Sequence, residues 1–154
     1  MASCGSTGSR SPGPIAVDAI PADRNDGSVD QQASLGAEFA QALAVKDRSR
    51  ILELMHPEID FRGLTPSRSW EAHNPDSVVS MLIGQWFEDT DDIRALEQLE
   101  TDAFADRERV GYRFSLDNPD GRFLVEQQAY LAARDGRIGW MRVVCSGFRP
   151  VPGP

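Results

Sequence analysis

The sequence predicts an α+β fold: three N-terminal helices packed in the concave face of a strongly curved, mainly antiparallel sheet, a cone built in the order α-α-β-α-β-β-β-β. Three observations predict it. Apolar residues recur at helical intervals in three short segments between Leu35 and Phe87. Strict alternation then takes over in the last third of the chain. Turn signals at Asn118-Pro119-Asp120-Gly121 and Arg134-Asp135-Gly136 divide that third into successive strands, the pattern of a meander.

The first helix opens near Ser28, because Ser28-Val29-Asp30-Gln31 has the spacing of a capping box. Leu35, Phe39, Ala42 and Leu43 then fall on one face. Asp47 caps a second, shorter helix carrying Ile51, Leu52, Leu54 and Met55; Pro57 biases His56 out of helical conformation and stops it. Ile59-Asp60-Phe61-Arg62 reads as a short first strand.

Asn74-Pro75-Asp76 opens the third helix with a cap, a proline where no amide is needed and an acid in the first turn. Val78, Val79, Met81, Leu82, Ile83, Trp86 and Phe87 make it apolar over much of its surface, so it is deeply buried. It runs into Glu88, Asp89, Asp91 and Asp92, acids at the unfavourable end of a helix dipole, read as a solvated loop with a cation site as the alternative.

Residues 93–105 are extended but weakly patterned. Val110, Tyr112, Phe114 and Leu116 alternate with Gly111, Arg113 and Ser115. Strands follow over 122–133 and 138–148, and Pro150 and Pro152 end the sheet. Phe123, Val125, Ala129 and Leu131 oppose Leu124 and Tyr130; Ile138, Trp140 and Val144 oppose Met141, Val143 and Cys145. A sheet with one face on helices and the other in water does not carry apolar residues on both. This predicts a homodimer packed through the outer sheet face.

Domain organisation follows from composition. Residues 1–27 are rich in Ser, Gly, Pro and Asp and are expected to be a disordered tail, 28–149 a single folded domain, and 150–154 a short C-terminal tail. A formal charge of -8 and a pI near 4.7 argue against nucleic-acid binding. No apolar stretch approaches the ~20 residues of a membrane span. The start, Met1-Ala2-Ser3-Cys4-Gly5, is similar to the end of a lipoprotein signal, but no apolar segment precedes it. Cys4 and Cys145 are expected to be free thiols in a reducing, cytoplasmic compartment.

From about residue 31 to 149 the chain resembles the SnoaL-like branch of the nuclear-transport-factor-like superfamily. The resemblance rests on FAQALAVKD from Phe39 to Asp47, ILELMHPEIDF from Ile51 to Phe61, and the hairpin DGRIGWMR from Asp135 to Arg142. It implies a cone that holds a small, mostly apolar molecule, and relatives that include polyketide cyclases, ketosteroid isomerases and epoxide hydrolases. The steroid-isomerase set of tyrosine, aspartate base and second acid falls here on Phe39, the neighbourhood of Gly63, and Gln128, so those roles are vacant. The Asp-Arg-Asp arrangement of the epoxide hydrolases finds no convincing match.

Under the same alignment, Leu124, Glu126, Gln128 and Tyr130 are expected to line the cup beside Met141, Val143 and Cys145. A carboxylate in an apolar cup has its pKa raised by desolvation, so Glu126 is the candidate catalytic acid–base; the alternatives are ligand anchoring, or a structural pair with Arg62 or Arg113. Phe39, Arg62, Trp70, His73, Trp86, Gln128, Tyr130, Met141 and Cys145 are the candidate ligand-binding residues, each with a packing or surface role as its alternative.

His56 and His73 have no zinc-like spacing, and no phosphate loop, nucleophile elbow or dinucleotide fingerprint is present, so neither metal nor cofactor is expected. Three functions follow: a small-molecule binder; a cofactor-independent isomerase, cyclase or hydratase using Glu126; or an interaction module with a filled cup.

Overall fold

The computed structural model describes residues 34–152. Helix α1 (Leu35–Ala44) is capped by Ser34, whose Oγ accepts from the Ala37 N–H. The capping box at Ser28 lies outside the described residues. Phe39, Ala40 and Leu43 are fully buried on the face that the helical period marked. Helix α2 (Arg48–Leu54) starts at Asp47, whose carboxylate accepts from the Arg50 N–H, and ends before His56 as the proline requires. Helix α3 (Pro75–Leu82) has the expected Asn74 cap, which accepts from the Ser77 N–H.

The third helix is shorter than predicted. It ends at Leu82, and Gly84 just beyond takes a φ of +154° at which a Cβ would meet the Ser80 carbonyl oxygen at 2.8 Å, so this turn away from the helix accepts only glycine. Trp86 and Phe87 therefore lie beyond the helix in an irregular segment. No helix among the described residues is long and apolar enough to cross a membrane.

The strands are β1 (Met55–Thr65), β2 (Arg68–Ala72), β3 (Asp92–Phe104), β4 (Arg107–Asn118), β5 (Gly121–Arg134), β6 (Arg137–Cys145) and β7 (Arg149–Pro150). They form one open sheet in the order β2-β1-β6-β5-β4-β3, with β7 paired to β5. Only β1 and β6 run parallel; the other pairings are antiparallel. Strand β1 is longer than Ile59-Asp60-Phe61-Arg62. Strand β2 was not anticipated, because Arg68-Ser69-Trp70-Glu71-Ala72 has neither branched residues nor clean alternation. The last predicted strand breaks at residues 146–148, and Pro150 pairs with Phe123 instead of ending the sheet. Both predicted turns are present; Asp135 and Gly136 take the positive φ angles that a tight hairpin demands.

The helices cover one face. Val110, Tyr112, Phe114 and Leu116 on β4, Val125, Ala129 and Leu131 on β5, and Ile138, Met141 and Val143 on β6 are buried against them. An irregularity at Ala132/Ala133 brings Ile138 onto the same side as Met141, although simple alternation separates them.

Candidate functional site

Pairing places Gln127 opposite Cys145, Ala129 opposite Val143 and Leu131 opposite Met141. Directly opposed residues share a face, so the odd-numbered residues of β5 line the cone with Met141 and Cys145. The expectation that Glu126, Gln128 and Tyr130 face the helices is corrected: all three point outward and are exposed. The reason is the alternation itself. One phase of β5 holds Val125, Ala129 and Leu131, the other holds Glu126 and Gln128, and burial selects the apolar phase.

On the outer face Glu126 is an ion-pair partner. Its Oε2 accepts from Nε and Nη2 of Arg113 at 2.8 and 2.6 Å. Arg62 is also outward, 3.5 Å from Glu71. His73 is exposed and its Nε2 lies 3.1 Å from the same Glu71 carboxylate. These residues do not converge with the cone interior.

Inside, a row of polar groups crosses the sheet. The Tyr112 hydroxyl donates to Gln127 Oε1 at 2.6 Å, and Cys145 lies beside Gln127 on the next strand. Burial pushes the Tyr112 phenol well above its ordinary range, and Cys145 adds to the shift, so the group stays a neutral donor at physiological pH. The Cys145 Sγ accepts from the Gly147 N–H at 3.4 Å.

Trp86 closes the next level of the cone. It lies against Gly63, where a Cβ would come within 2.5 Å of its ring, and its centroid is 6.1 Å from both Phe61 and Trp70. Gly63 pairs with Val143, which is two residues from Cys145 on the same face. The glycine thus makes room for the indole, and no aspartate side chain fits there. Phe39 packs edge-on against Tyr112, and Met141 is fully buried. Trp70, half-buried at the rim, donates from Nε1 to Thr65 Oγ1 at 2.9 Å.

Gln127 and Trp86 have one property in common. Gln127 Nε2 and Trp86 Nε1 are buried donors with no hydrogen-bond partner among the described residues. A buried donor left unmade costs about 1–3 kcal/mol. Sequence reading passed over Gln127, although it is the one polar residue in the buried phase of β5. Among the described residues, no group of three or more His, Cys, Asp or Glu is placed to hold a metal ion.

No protein-family model and no curated protein matches the sequence. Solved structures do share the fold. A protein of unknown function with a cystatin-like fold from Xanthomonas campestris aligns with a TM-score of 0.59 and 17% identity, over 72% of this chain and 87% of that one. An NTF2-like protein from Burkholderia xenovorans gives 0.55 and 14%, over 73% and 86%. A LEH-like epoxide hydrolase of M. tuberculosis gives 0.54 and 12%, over 73% and 80%.

Proposed function

Because the chain has the NTF2-like cone fold, we propose that it binds a small, mostly apolar molecule bearing a hydrogen-bond acceptor inside the cone, between Trp86 and the Tyr112–Gln127–Cys145 row. The observation that carries this reading is the pair of unpartnered buried donors, Gln127 Nε2 and Trp86 Nε1. Aromatic walls from Phe39, Phe61 and Trp70 suit an apolar body. Gln127 and Trp86 carry no charge and Tyr112 stays protonated, which favours a carbonyl, ester or ether oxygen over a carboxylate. Glu126 takes no part, because its carboxylate is on the other side of the sheet and held by Arg113.

The reading is tested by native mass spectrometry of freshly purified protein, together with titration of the neutral carbonyl dye Nile red. A co-purifying small molecule or saturable dye binding is expected. It should weaken at least tenfold in Gln127→Leu and be unchanged in Glu126→Gln. If the protein carries nothing and the dye binds wild type and Gln127→Leu alike, the cone is not a ligand chamber.

The interaction-module reading has its own support in the filled interior: Phe39, Phe61, Phe87 and Phe114 are each at or below 1% exposure, and Trp86 plugs the space beside them.

A further inference from the structure

The sheet ends in two edge strands, and they differ. Strand β3 is irregular, with register shifts at Ile93/Ala95 and Leu96/Gln98, and bulges of this kind protect an edge from further pairing. Strand β2 pairs with β1 without a shift. A two-residue loop, Pro66-Ser67, joins them, so Thr65 and Arg68 form a hydrogen-bonded pair and the pattern alternates from there. Ser69 and Glu71 therefore turn their N–H and C=O groups to the free side, and among the described residues no other backbone group bonds to them.

A groove of about 620 Å³ runs beside that edge, between β2 and α3. Met81, 6% exposed, and half-buried Trp70 give it an apolar middle. Its charges stand apart. Arg68 opens β2, and its guanidinium is stacked 3.7 Å from the centre of the Trp70 ring. Asp76 is in the first turn of α3, beyond the other end of β2. Neither forms an ion pair among the described residues, whereas Glu71 at the rim is held by Arg62 and His73. Stacking fixes the guanidinium plane and leaves its N–H edge for a carboxylate.

We propose that this edge binds an extended segment of another protein, added antiparallel to β2 as a further strand. The register dictates the chemistry of that segment. Residues opposite Ser69 and Glu71 make the ladder bonds, and their side chains face away from the groove. Residues opposite Arg68, Trp70 and Ala72 share the groove side with them. An acid there meets Arg68, an apolar side chain meets Trp70 and Met81, and a base at the Ala72 end faces towards Asp76. An antiparallel strand runs from Ala72 to Arg68, so the motif from its N-terminus is base-x-apolar-x-acid. Charge excludes a second copy of β2 as the occupant. Antiparallel pairing of β2 with itself about Trp70 sets Ala72 opposite Arg68 and leaves the cation unmatched.

Fluorescence anisotropy of a fluorescein-labelled heptapeptide, Ser-Lys-Thr-Leu-Thr-Glu-Ser, titrated with the full chain tests this. A saturable rise is expected. N-methylation of both threonines removes the ladder donors and should weaken binding at least tenfold. The charge-reversed peptide Ser-Glu-Thr-Leu-Thr-Lys-Ser should bind wild type at least tenfold more weakly than the first. It should regain that loss on the double variant Arg68→Glu/Asp76→Lys, whose far-ultraviolet circular dichroism should match wild type. Val45→Arg, at an exposed position beyond the end of α1, should bind the first peptide as wild type does. No rise up to ~1 mM protein overturns the proposal, including the case in which a second copy covers the edge. Undiminished binding of the N-methylated peptide overturns strand addition, and equal binding of the two charge patterns overturns the motif.

Discussion

Glu126 and Gln127 are neighbours in sequence and opposites in environment. The carboxylate is outside, held by an arginine; the amide is inside, held by a tyrosine. A half-exposed pair such as Arg113–Glu126 is worth about 0.2–1 kcal/mol. Glu126→Gln should therefore move the thermal midpoint only slightly, whereas loss of a bound molecule on that substitution would contradict the placement of the site. Glu108 behaves differently. It clasps the start of α1, accepting from the Ser34 hydroxyl and from the Gly36 N–H at 3.3 Å. Partial burial raises its pKa, outweighing the opposing effect of the Gly36 bond. A carboxyl with a raised folded pKa binds its proton more tightly folded than unfolded. Its contribution is thus most favourable in acid and fades as pH climbs from about 4.3 through the folded value. Glu108→Gln keeps the acceptor and removes the charge. The variant should unfold at a higher temperature than wild type at pH 7, and the difference should shrink towards pH 4. A constant difference across that range would show that ionisation of Glu108 is not responsible.

The irregular segment after α3 shows how an element can be mistaken in kind. Glu88, Asp89, Asp91 and Asp92 look like a solvated acidic run, yet Asp91 is 6% exposed. Its carboxylate accepts from the Glu88 N–H at 2.8 Å and from Asn118 Nδ2 at 3.0 Å. Lys46, the sole lysine, donates from Nζ to the carbonyl oxygens of Glu88 and Asp91. These bonds hold the segment that carries Trp86 and Phe87 into the cone. Asp91→Ala leaves the Glu88 and Asn118 donors without their acceptor and should cost about 1–3 kcal/mol in urea denaturation. It should also speed amide exchange over residues 83–91 ahead of the rest of the chain. Uniform acceleration would mean that the segment opens only with global unfolding. Strand β2 was missed for a related reason: its five residues pair with β1 because a neighbour is available, not because their own pattern is strand-like.

At the scale of the whole molecule, the sheet-to-sheet dimer that apolar residues on both faces of the strands predict has an electrostatic signature. Two chains of -8 repel, and salt screens that repulsion while leaving apolar contact intact. Association should tighten between 50 mM and 500 mM salt; weakening would mean that ion pairs across the interface drive it. The same molecule shows how far local pattern reaches. Leu35, Phe39 and Leu43, the Asp47 and Asn74 caps, the Asn118-Pro119-Asp120-Gly121 turn and the alternation of 110–116 each encode their element through short-range geometry, so helix and strand order was legible from the chain alone. Which side of β5 faces the helices was a question of phase between strands distant in sequence. The pairing of Gln127 with Cys145 answered it, and a shift of one residue exchanges a carboxylate for an amide in the cone. The unpartnered donors of Gln127 and Trp86 likewise exist only once separate segments meet. Periodicity is a property of neighbours along the chain; burial and hydrogen-bond satisfaction are properties of neighbours in space, and folding alone decides which those are.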